Sequence, residues 1–410
     1  MAASRILFVH QNFPGQFPHI ADAVLKRGHK VAAIGGSGIK GRPGVDVRRW
    51  TLSRGSTPGL FDAATRAEAD LMRGHAAAEA ALKLKADGFT PDLIIGHPGW
   101  GETLQLREVF PQARQMLFGE FFYRSQGADV NFDPEFERST PISDFRIHAK
   151  NMGLALAYCE ADMIVCPTAF QASLLPRGLQ ERVRIVHEGV DLDRARRIPD
   201  ARFKLPDGRV LDGTKPVITF INRHFERLRG FHTFMRALPS VLERNSEVEV
   251  LLIGKDSPQV YGGALPDGQT WKAKMLAEVG DRLDLSRVHF TGAVEHGEMV
   301  KALSISAAHV YFTYPFVLSW SLVEAMACEC LIVGSDTAPL HDAITPGVNG
   351  LLRDFFDPAG LADTLVEICQ DPAAYAPLRA AARVTALERF DRATVGVPAW
   401  LDLIDEVLAR

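Results

Sequence analysis

The residues best suited to chemistry lie in one run, Tyr314-Pro-Phe-Val-Leu-Ser-Trp-Ser-Leu-Val-Glu324, which leads through Ala-Met-Ala-Cys-Glu-Cys into Leu331-Ile-Val333. Glu324 sits in an apolar helical turn just after a short polar segment, and a buried-type strand follows at once. Loop, helix start and strand in that order are how α/β proteins aim backbone N–H groups and a helix dipole at a phosphate. A carboxylate on an apolar helix face needs a partner, because burying it bare is costly. A neighbouring arginine is the bland way to satisfy it.

Three further constellations carry chemistry. Asn222-Arg-His-Phe-Glu-Arg-Leu-Arg-Gly230 follows an apolar run, and Arg223 and Arg229 flank a turn where they could converge on one anion. A guanidinium fork suits phosphate because it binds two oxygens, and the alternative is a solvated charged loop. His10-Gln-Asn-Phe-Pro-Gly15-Gln-Phe-Pro-His19 joins a first strand to a first helix. Gly15 would let backbone N–H groups approach a pyrophosphate, or it serves turn geometry alone. The loop is not G-x-G-x-x-G, so a dinucleotide-dependent dehydrogenase is poorly supported. His97 closes Leu93-Ile-Ile95-Gly96, where an imidazole can donate a hydrogen bond or shuttle a proton. His10 and His19 are weaker rivals for that role.

The run at 314–334 resembles the donor-binding signature of GT4-type retaining glycosyltransferases of the GT-B fold. That family carries two glutamates eight positions apart; Glu324 matches the second, and Phe316 stands where the first would be. The resemblance implies that Glu324 accepts hydrogen bonds from a ribose diol and that the backbone at Trp320 and Ser321 faces the β-phosphate. It also implies that Phe316, Val317, Leu318 and Ser319 line the donor sugar. Phe316 then removes a hydrogen bond to that sugar, or marks a subgroup with another solution. Arg223 and Arg229 resemble the family's Arg…Lys-Gly element, with one extra residue in the spacing and Arg in place of Lys. Asp92…His97 resembles its Asp-Val-Val-His-x-His, which implies a histidine near the sugar and leaving group. Gly119 to Glu135, Pro167-Thr168, His187-Glu-Gly-Val-Asp191 and Val288-His-Phe-Thr-Gly292 follow in the family's order. The aromatic and acidic stretch Glu120 to Glu135 is either the acceptor side or an ordinary surface loop.

These residues need strands and helices to hold them. Short Val/Ile/Leu runs alternate with helical patterns, the signature of parallel α/β architecture. Strands are expected at 6–10, 31–34, 93–95, 163–165 and 183–186, then at 216–221, 248–253, 288–290, 309–312 and 331–333. The Ala-rich stretch 63–83 predicts a helix, and Pro239 predicts a kink or stop in the helix from Phe231 to Leu242. Asp191 to Thr214 is polar, lacks an apolar period and reads as a linker. The expected fold class is α/β, GT-B: two Rossmann-like domains facing each other across a cleft. Residues 1–192 form the acceptor-side domain and 193–392 the nucleotide-sugar donor domain, with a last helix, 393–410, packing back onto the first by resemblance. Loops at the carboxyl edge of each sheet are where open α/β folds bind ligands.

Bulk properties agree. With 410 residues, two domains are the default, and 47% hydrophobic and 23% charged residues describe a globular chain. A net charge of −4 argues against nucleic acid as a partner. No segment approaches 18 uncharged apolar residues and the start lacks a signal-peptide core, so a cytoplasmic location is expected. The helix-forming stretch around Arg146, His148 and Lys150 is either a peripheral inner-membrane contact or a solvated face. Five scattered cysteines suit a reducing compartment. Cys328-Glu-Cys330 lacks a partner pair, so no metal is expected there, and no Asp-x-Asp element suggests one elsewhere. The expected reaction is retaining, metal-independent transfer of a sugar from a nucleotide diphosphate to the hydroxyl of a glycan or lipid-linked acceptor, with no cofactor. Arg223, Arg229 and the Gly15 loop would offset the leaving charge. The rivals are a sugar-nucleotide epimerase and a non-catalytic nucleotide-sugar binder.

Overall fold

The computed structural model describes residues 3–137 and 140–410; Met1 and Ala2, which open the first expected domain, lie outside them. The chain divides into two compact units, Met1–Gly189 with Ala393–Arg410, and Val190–Arg392.

The first unit is built on seven strands: β1 (Arg5–Val9), β2 (Lys30–Gly36), β3 (Val45–Trp50), β4 (Leu93–Gly96), β5 (Arg114–Phe118), β6 (Met163–Cys166) and β7 (Val183–Ile185). All pair in parallel, in the order β3-β2-β1-β4-β5-β6-β7. The strands are apolar on both faces because helices cover both. Helices α1 (Pro18–Lys26), α2 (Asp62–Ala86), α3 (Leu106–Val109), α4 (Pro141–Glu160) and α5 (Ala169–Ser173) connect them. Ile6 and Phe8 of β1 face one core cluster and Leu7 and Val9 the other, all fully buried. Strands β3 and β5 were not among the expected ones. Charges alternate along β3 at the sheet edge, and β5 opens with Arg114-Gln115, so neither shows a continuous apolar run.

The second unit restarts at a short antiparallel pair, β8 (Phe203–Lys204) and β9 (Val210–Leu211). This corrects the expected linker. Phe203, Leu205 and Leu211 are buried in the core of the second unit, so the stretch after Asp191 belongs to that unit's body. Six parallel strands follow, β10 (Val217–His224), β11 (Glu249–Lys255), β12 (Val288–Gly292), β13 (Ser306–Tyr311), β14 (Ile332–Ser335) and β15 (Leu351–Arg353), in the order β12-β11-β10-β13-β14-β15. Their helices are α6 (Phe231–Arg244), α7 (Trp271–Val279), α8 (His296–Ser304), α9 (Trp320–Ala327), α10 (Pro358–Gln370) and α11 (Ala376–Phe390). Helix α6 runs through Pro239 without stopping. Its buried face, with Phe231, Phe234, Met235, Leu238, Val241 and Leu242, outweighs one lost backbone bond.

The last helix, α12 (Val397–Leu408), belongs to the first unit and packs on α1 and β5. Trp400 is fully buried there and lies against Phe17 and Phe118, with ring centroids at 6.1 and 6.3 Å. A side chain this large in a dry core contributes through transfer and packing together. Trp400→Ala should therefore destabilise the first unit by about 3–5 kcal/mol. Urea unfolding followed by circular dichroism would read this as a lower midpoint.

Candidate functional site

In the first unit, three adjacent strands deliver side chains to one edge of the sheet. Val9 of β1 lies in register with Gly96 of β4, so His10 and His97 leave the sheet side by side. Their ring centroids are 5.2 Å apart. Glu120 follows the end of β5, the next strand. The Asn12 N–H donates to His10 Nδ1 at 2.9 Å, and the Gly99 N–H donates to His97 Nδ1 at 3.1 Å. Each imidazole is thereby fixed with its proton on Nε2. His10 Nε2 then donates to Gln16 Oε1 at 2.7 Å, and His97 Nε2 to Glu120 Oε2 at 3.2 Å. Gln16 Nε2 closes the chain by donating to Glu120 Oε1 at 3.2 Å.

The electrostatics follow from burial. Both imidazoles are 2% exposed, whereas the Glu120 side chain keeps 38% of its surface. Burial, reinforced by the His97 ring, pushes the His10 pKa down to about 4. Burial opposes ionisation of Glu120, but the imidazoles beside it and the bonds from His97 and Gln16 outweigh this and hold its carboxyl below the usual range. The result is a pair of fixed imidazoles that orients an ionised, accessible carboxylate.

Helix α2 holds the turn beneath His97. Asp70 pairs with Arg66 at 2.8 Å and Arg73 at 2.6 Å; Arg66 then donates to Gly99 O, and Arg73 to Trp100 O at 2.6 Å. Trp100 is thereby stacked on His97, centroids 4.5 Å apart at 27°. Gly101 has φ +100°, and a Cβ there would meet the Asp70 backbone at 2.3 Å, so helix and turn touch only because the residue is glycine.

Gly15, read either as an approach to a pyrophosphate or as turn geometry, lies in this site. Its N–H donates to Asn12 O at 3.0 Å within the turn. Its φ is +51°, and a Cβ would lie 2.2 Å from His10 Nε2. The glycine makes room for the His10 ring. His19 bonds Glu188 O at 2.8 Å, which ties the first helix to the end of the unit.

In the second unit the same strand-end logic gathers another set. Arg229 closes a turn after β10, Thr313 follows β13, and Ser335 ends β14, three neighbours in the sheet. Thr313 is fully buried and fastened: its N–H donates to Ser335 Oγ at 3.0 Å, and its carbonyl accepts from Ser335 and Thr337 hydroxyls. Arg229 Nη1 donates to Thr313 Oγ1 at 2.9 Å, and its Cζ stands 6.0 Å from the Phe316 ring centroid. No carboxylate pairs with Arg229 among the described residues. Gly230, with φ +66°, lets this turn press on Phe312, where a Cβ would come within 2.4 Å. Arg223 is exposed at the end of β10 without a hydrogen bond or ion pair among the described residues. The two arginines share no hydrogen-bond partner among the described residues.

Ser319 caps α9. Its side chain accepts from the Ser321 N–H at 3.3 Å, and its own N–H donates to the Tyr311 hydroxyl at 2.9 Å. Trp320 begins the helix, 40% exposed. Glu324, one turn on, has its Oε1 2.8 Å from His296 Nε2 at the start of α8. The expected alternative partner, an arginine, is a histidine instead. No other hydrogen bond to this carboxylate occurs among the described residues, which leaves Oε2 for a ligand. Val317 is half-buried. Leu318, expected to line the sugar, instead belongs to the hydrophobic core, and Phe316 is 7% exposed beneath Tyr261.

His296, Thr313, Tyr261, Gln16 and Trp100 were not singled out in the sequence. Gln16 lay in the marked loop 10–19, whereas the partners of His296, Thr313 and Tyr261 are remote in the chain. Cys328 and Cys330 are buried, free thiols; Cys330 donates to Leu303 O at 3.1 Å. No group of three or more His, Cys, Asp or Glu side chains arranged to hold a metal ion occurs among the described residues. No helix among them is long and apolar enough to cross a membrane.

Known proteins resemble this chain in sequence and in fold. A family model described as Glycosyl transferase family 4 group matches residues 27–195, and one described as Glycosyl transferases group 1 matches residues 215–371. D-inositol 3-phosphate glycosyltransferase 1 of Catenulispora acidiphila is 28% identical over 268 residues, 64% of this chain and 59% of that protein. Phosphatidyl-myo-inositol mannosyltransferase of Mycolicibacterium smegmatis is 28% identical over 193 residues, 45% of this chain and 44% of that one. The match thus spans less than two thirds of the length of these relatives. Sucrose-phosphate synthase from Thermosynechococcus elongatus superposes with a TM-score of 0.74 at 18% identity, covering 99% of both chains. Anabaena HepE in complex with UDP-glucose gives 0.64 at 16% identity, covering 98% of this chain and all of that one.

One buried acid in the first site gives a direct test. Glu102, just past the His97 turn, is fully buried, and neither carboxylate oxygen has a hydrogen-bond partner among the described residues. Burial raises its pKa to about 7. The unfolded chain ionises this group near 4.5, so it binds fewer protons than the native state between about pH 4.5 and 7, and stability falls as pH rises through that window. Glu102→Gln should remove this slope. Its stability relative to the parent, from urea midpoints, should rise by up to about 3 kcal/mol between pH 5 and pH 8.

Proposed function

We propose that this chain, a homologue of GT4-family glycosyltransferases of the GT-B fold, moves a sugar from a nucleotide-diphosphate donor to an acceptor hydroxyl. The observation that carries the reading is the half-buried Arg229, hydrogen-bonded to Thr313 and lacking a carboxylate partner. A guanidinium left without an anion at a strand's carboxyl end is suited to bind one. The start of α9 at Trp320 and Ser321 adds N–H groups and a helix dipole for the same phosphates. Glu324, oriented by His296, has Oε2 available to accept from a ribose hydroxyl.

The division of labour assigns the donor to the second unit and the acceptor side to the first. Glu120, oriented by His97, offers an ionised carboxylate, which suits sugar or acceptor hydroxyls. Positioning and stabilisation of the leaving diphosphate would supply most of the rate. Retention of configuration and independence of metal come from the family resemblance. The relatives' names, with inositol phosphate and phosphatidyl-inositol acceptors, and the UDP-glucose held by HepE favour a glycan or glycolipid product. Peripheral membrane contact by the stretch at Arg146, His148 and Lys150, with a cytoplasmic location, completes the reading.

Thermal-shift titration against UDP, GDP, ADP and their sugars would identify the carrier. Arg229→Ala should weaken binding of that diphosphate at least tenfold, the scale of one charge-assisted contact. Glu324→Ala should weaken the diphosphate nucleoside while leaving inorganic pyrophosphate unaffected. A wild-type protein that binds no nucleoside diphosphate at millimolar concentration would overturn the reading. Binding of nucleotide sugars with no transfer to any glycan or lipid acceptor would favour a sugar-nucleotide binder instead.

A further inference from the structure

Phe316 occupies a position where the resembling family has a carboxylate, and the structure surrounds it with a matching set of residues. Its ring is covered by Tyr261, with centroids 4.7 Å apart at 36°. Tyr261 is itself 54% exposed, on the irregular loop between β11 and α7. An exposed aromatic on such a loop would ordinarily be free to move. Here the next residue is fastened at both backbone groups: the Gly262 N–H donates to Glu226 Oε2 at 2.6 Å, and Arg227 Nε donates to Gly262 O at 2.8 Å.

The latch belongs to the same turn as Arg229. Glu226 is 6% exposed, and a carboxylate buried to that depth is costly unless its hydrogen bonds are met. One of those bonds is spent on a loop backbone. Gly262 admits this approach, since a Cβ there would lie 3.1 Å from Glu226 Oε2 and 3.2 Å from Leu228 Cβ. One short turn thus fixes the cation, through Arg229, and an aromatic shelf, through Gly262 and Tyr261. The Phe316 ring joins the two, with Arg229 Cζ 6.0 Å from its centroid.

We infer that Tyr261 is the specificity-determining residue for the donor's sugar, taking over from the missing carboxylate at 316. This rests on the donor assignment made above. A fixed phenol offers a ring face for the C–H side of a pyranose and a hydroxyl that both donates and accepts. It packs on the Phe316 ring, within the run assigned to the sugar, and that same ring neighbours the guanidinium assigned to the diphosphate, so the phenol meets the sugar rather than the nucleoside.

Isothermal titration of UDP against UDP-glucose, and of GDP against GDP-mannose, separates the alternatives. Tyr261 is exposed, so its substitutions leave the core intact. For whichever carrier binds, Tyr261→Ala should weaken the nucleotide sugar about five- to tenfold and the free diphosphate less than twofold. Tyr261→Phe, which keeps the ring, should fall between. Equal loss for both ligands would assign the phenol to the nucleoside or to loop structure, and no loss for either would remove it from the site; each overturns the inference. Failure of the wild type to bind UDP or GDP at all would instead sink the donor assignment on which it stands.

Discussion

The register of a parallel sheet is the constraint on which both candidate sites depend. Parallel strands end on the same edge, so residues just past neighbouring strands meet without being close in sequence. His10, His97 and Glu120 follow β1, β4 and β5, which are consecutive in the sheet order. Arg229, Thr313 and Ser335 stand at or beyond the ends of β10, β13 and β14, again consecutive. One-residue slippage would send each side chain to the other face, and strands buried on both faces resist it poorly by pattern alone. What pins them is packing by the helices around them, and the glycines at 15, 101 and 230 are points where the connections approach closely.

Close approach also explains why polar groups are affordable here. His10 and His97 are buried, yet each has both ring nitrogens bonded, one to a local backbone N–H and one to a side chain. Asp70 is buried under two arginines that use their remaining donors on Gly99 and Trp100. A half-satisfied network of this kind would be worse than an apolar core. Glu102 is the exception, and its carboxyl answers by holding its proton to about pH 7.

The parts legible in the sequence were those that depend on local pattern. Apolar runs located most central strands, and the segment through Glu324 announced a helix start with a carboxylate behind it. Edge strand β3 was not legible, since an edge needs only one apolar face and admits Asp46 and Arg48, and the interior strand β5 hid because it opens with the polar pair Arg114-Gln115. The pair β8–β9 hid in a polar stretch because just a few of its residues reach the core. Partners were the least legible. His296 lies 28 positions before Glu324, and the Glu226 latch 36 positions before Gly262, so no spacing rule could join them. Leu318 illustrates the converse: a residue inside a recognised motif turned toward the core, where its apolar side chain has more to gain.

The electrostatic contrast between the two sites separates their chemistry. At the first, ionised Glu120 offers one negative charge, and the N–H donors of His97 and Gln16 are already committed to it. An anionic diphosphate would meet repulsion there, whereas hydroxyl groups could donate to the exposed part of the carboxylate. At the second, Arg229 has no carboxylate partner among the described residues, and Glu226, on the same turn, is turned to a loop backbone. A carboxylate at 316 would stand against Arg229 and compete with any phosphate for it. Phenylalanine removes that competitor while keeping a cation–π contact that steadies the guanidinium. On the proposed donor reading, an aromatic at 316 exchanges a hydrogen bond to the ligand for an arginine whose charge is available to the diphosphate. That exchange is workable only if another group, fixed on the same turn, still recognises what lies beside the phosphate.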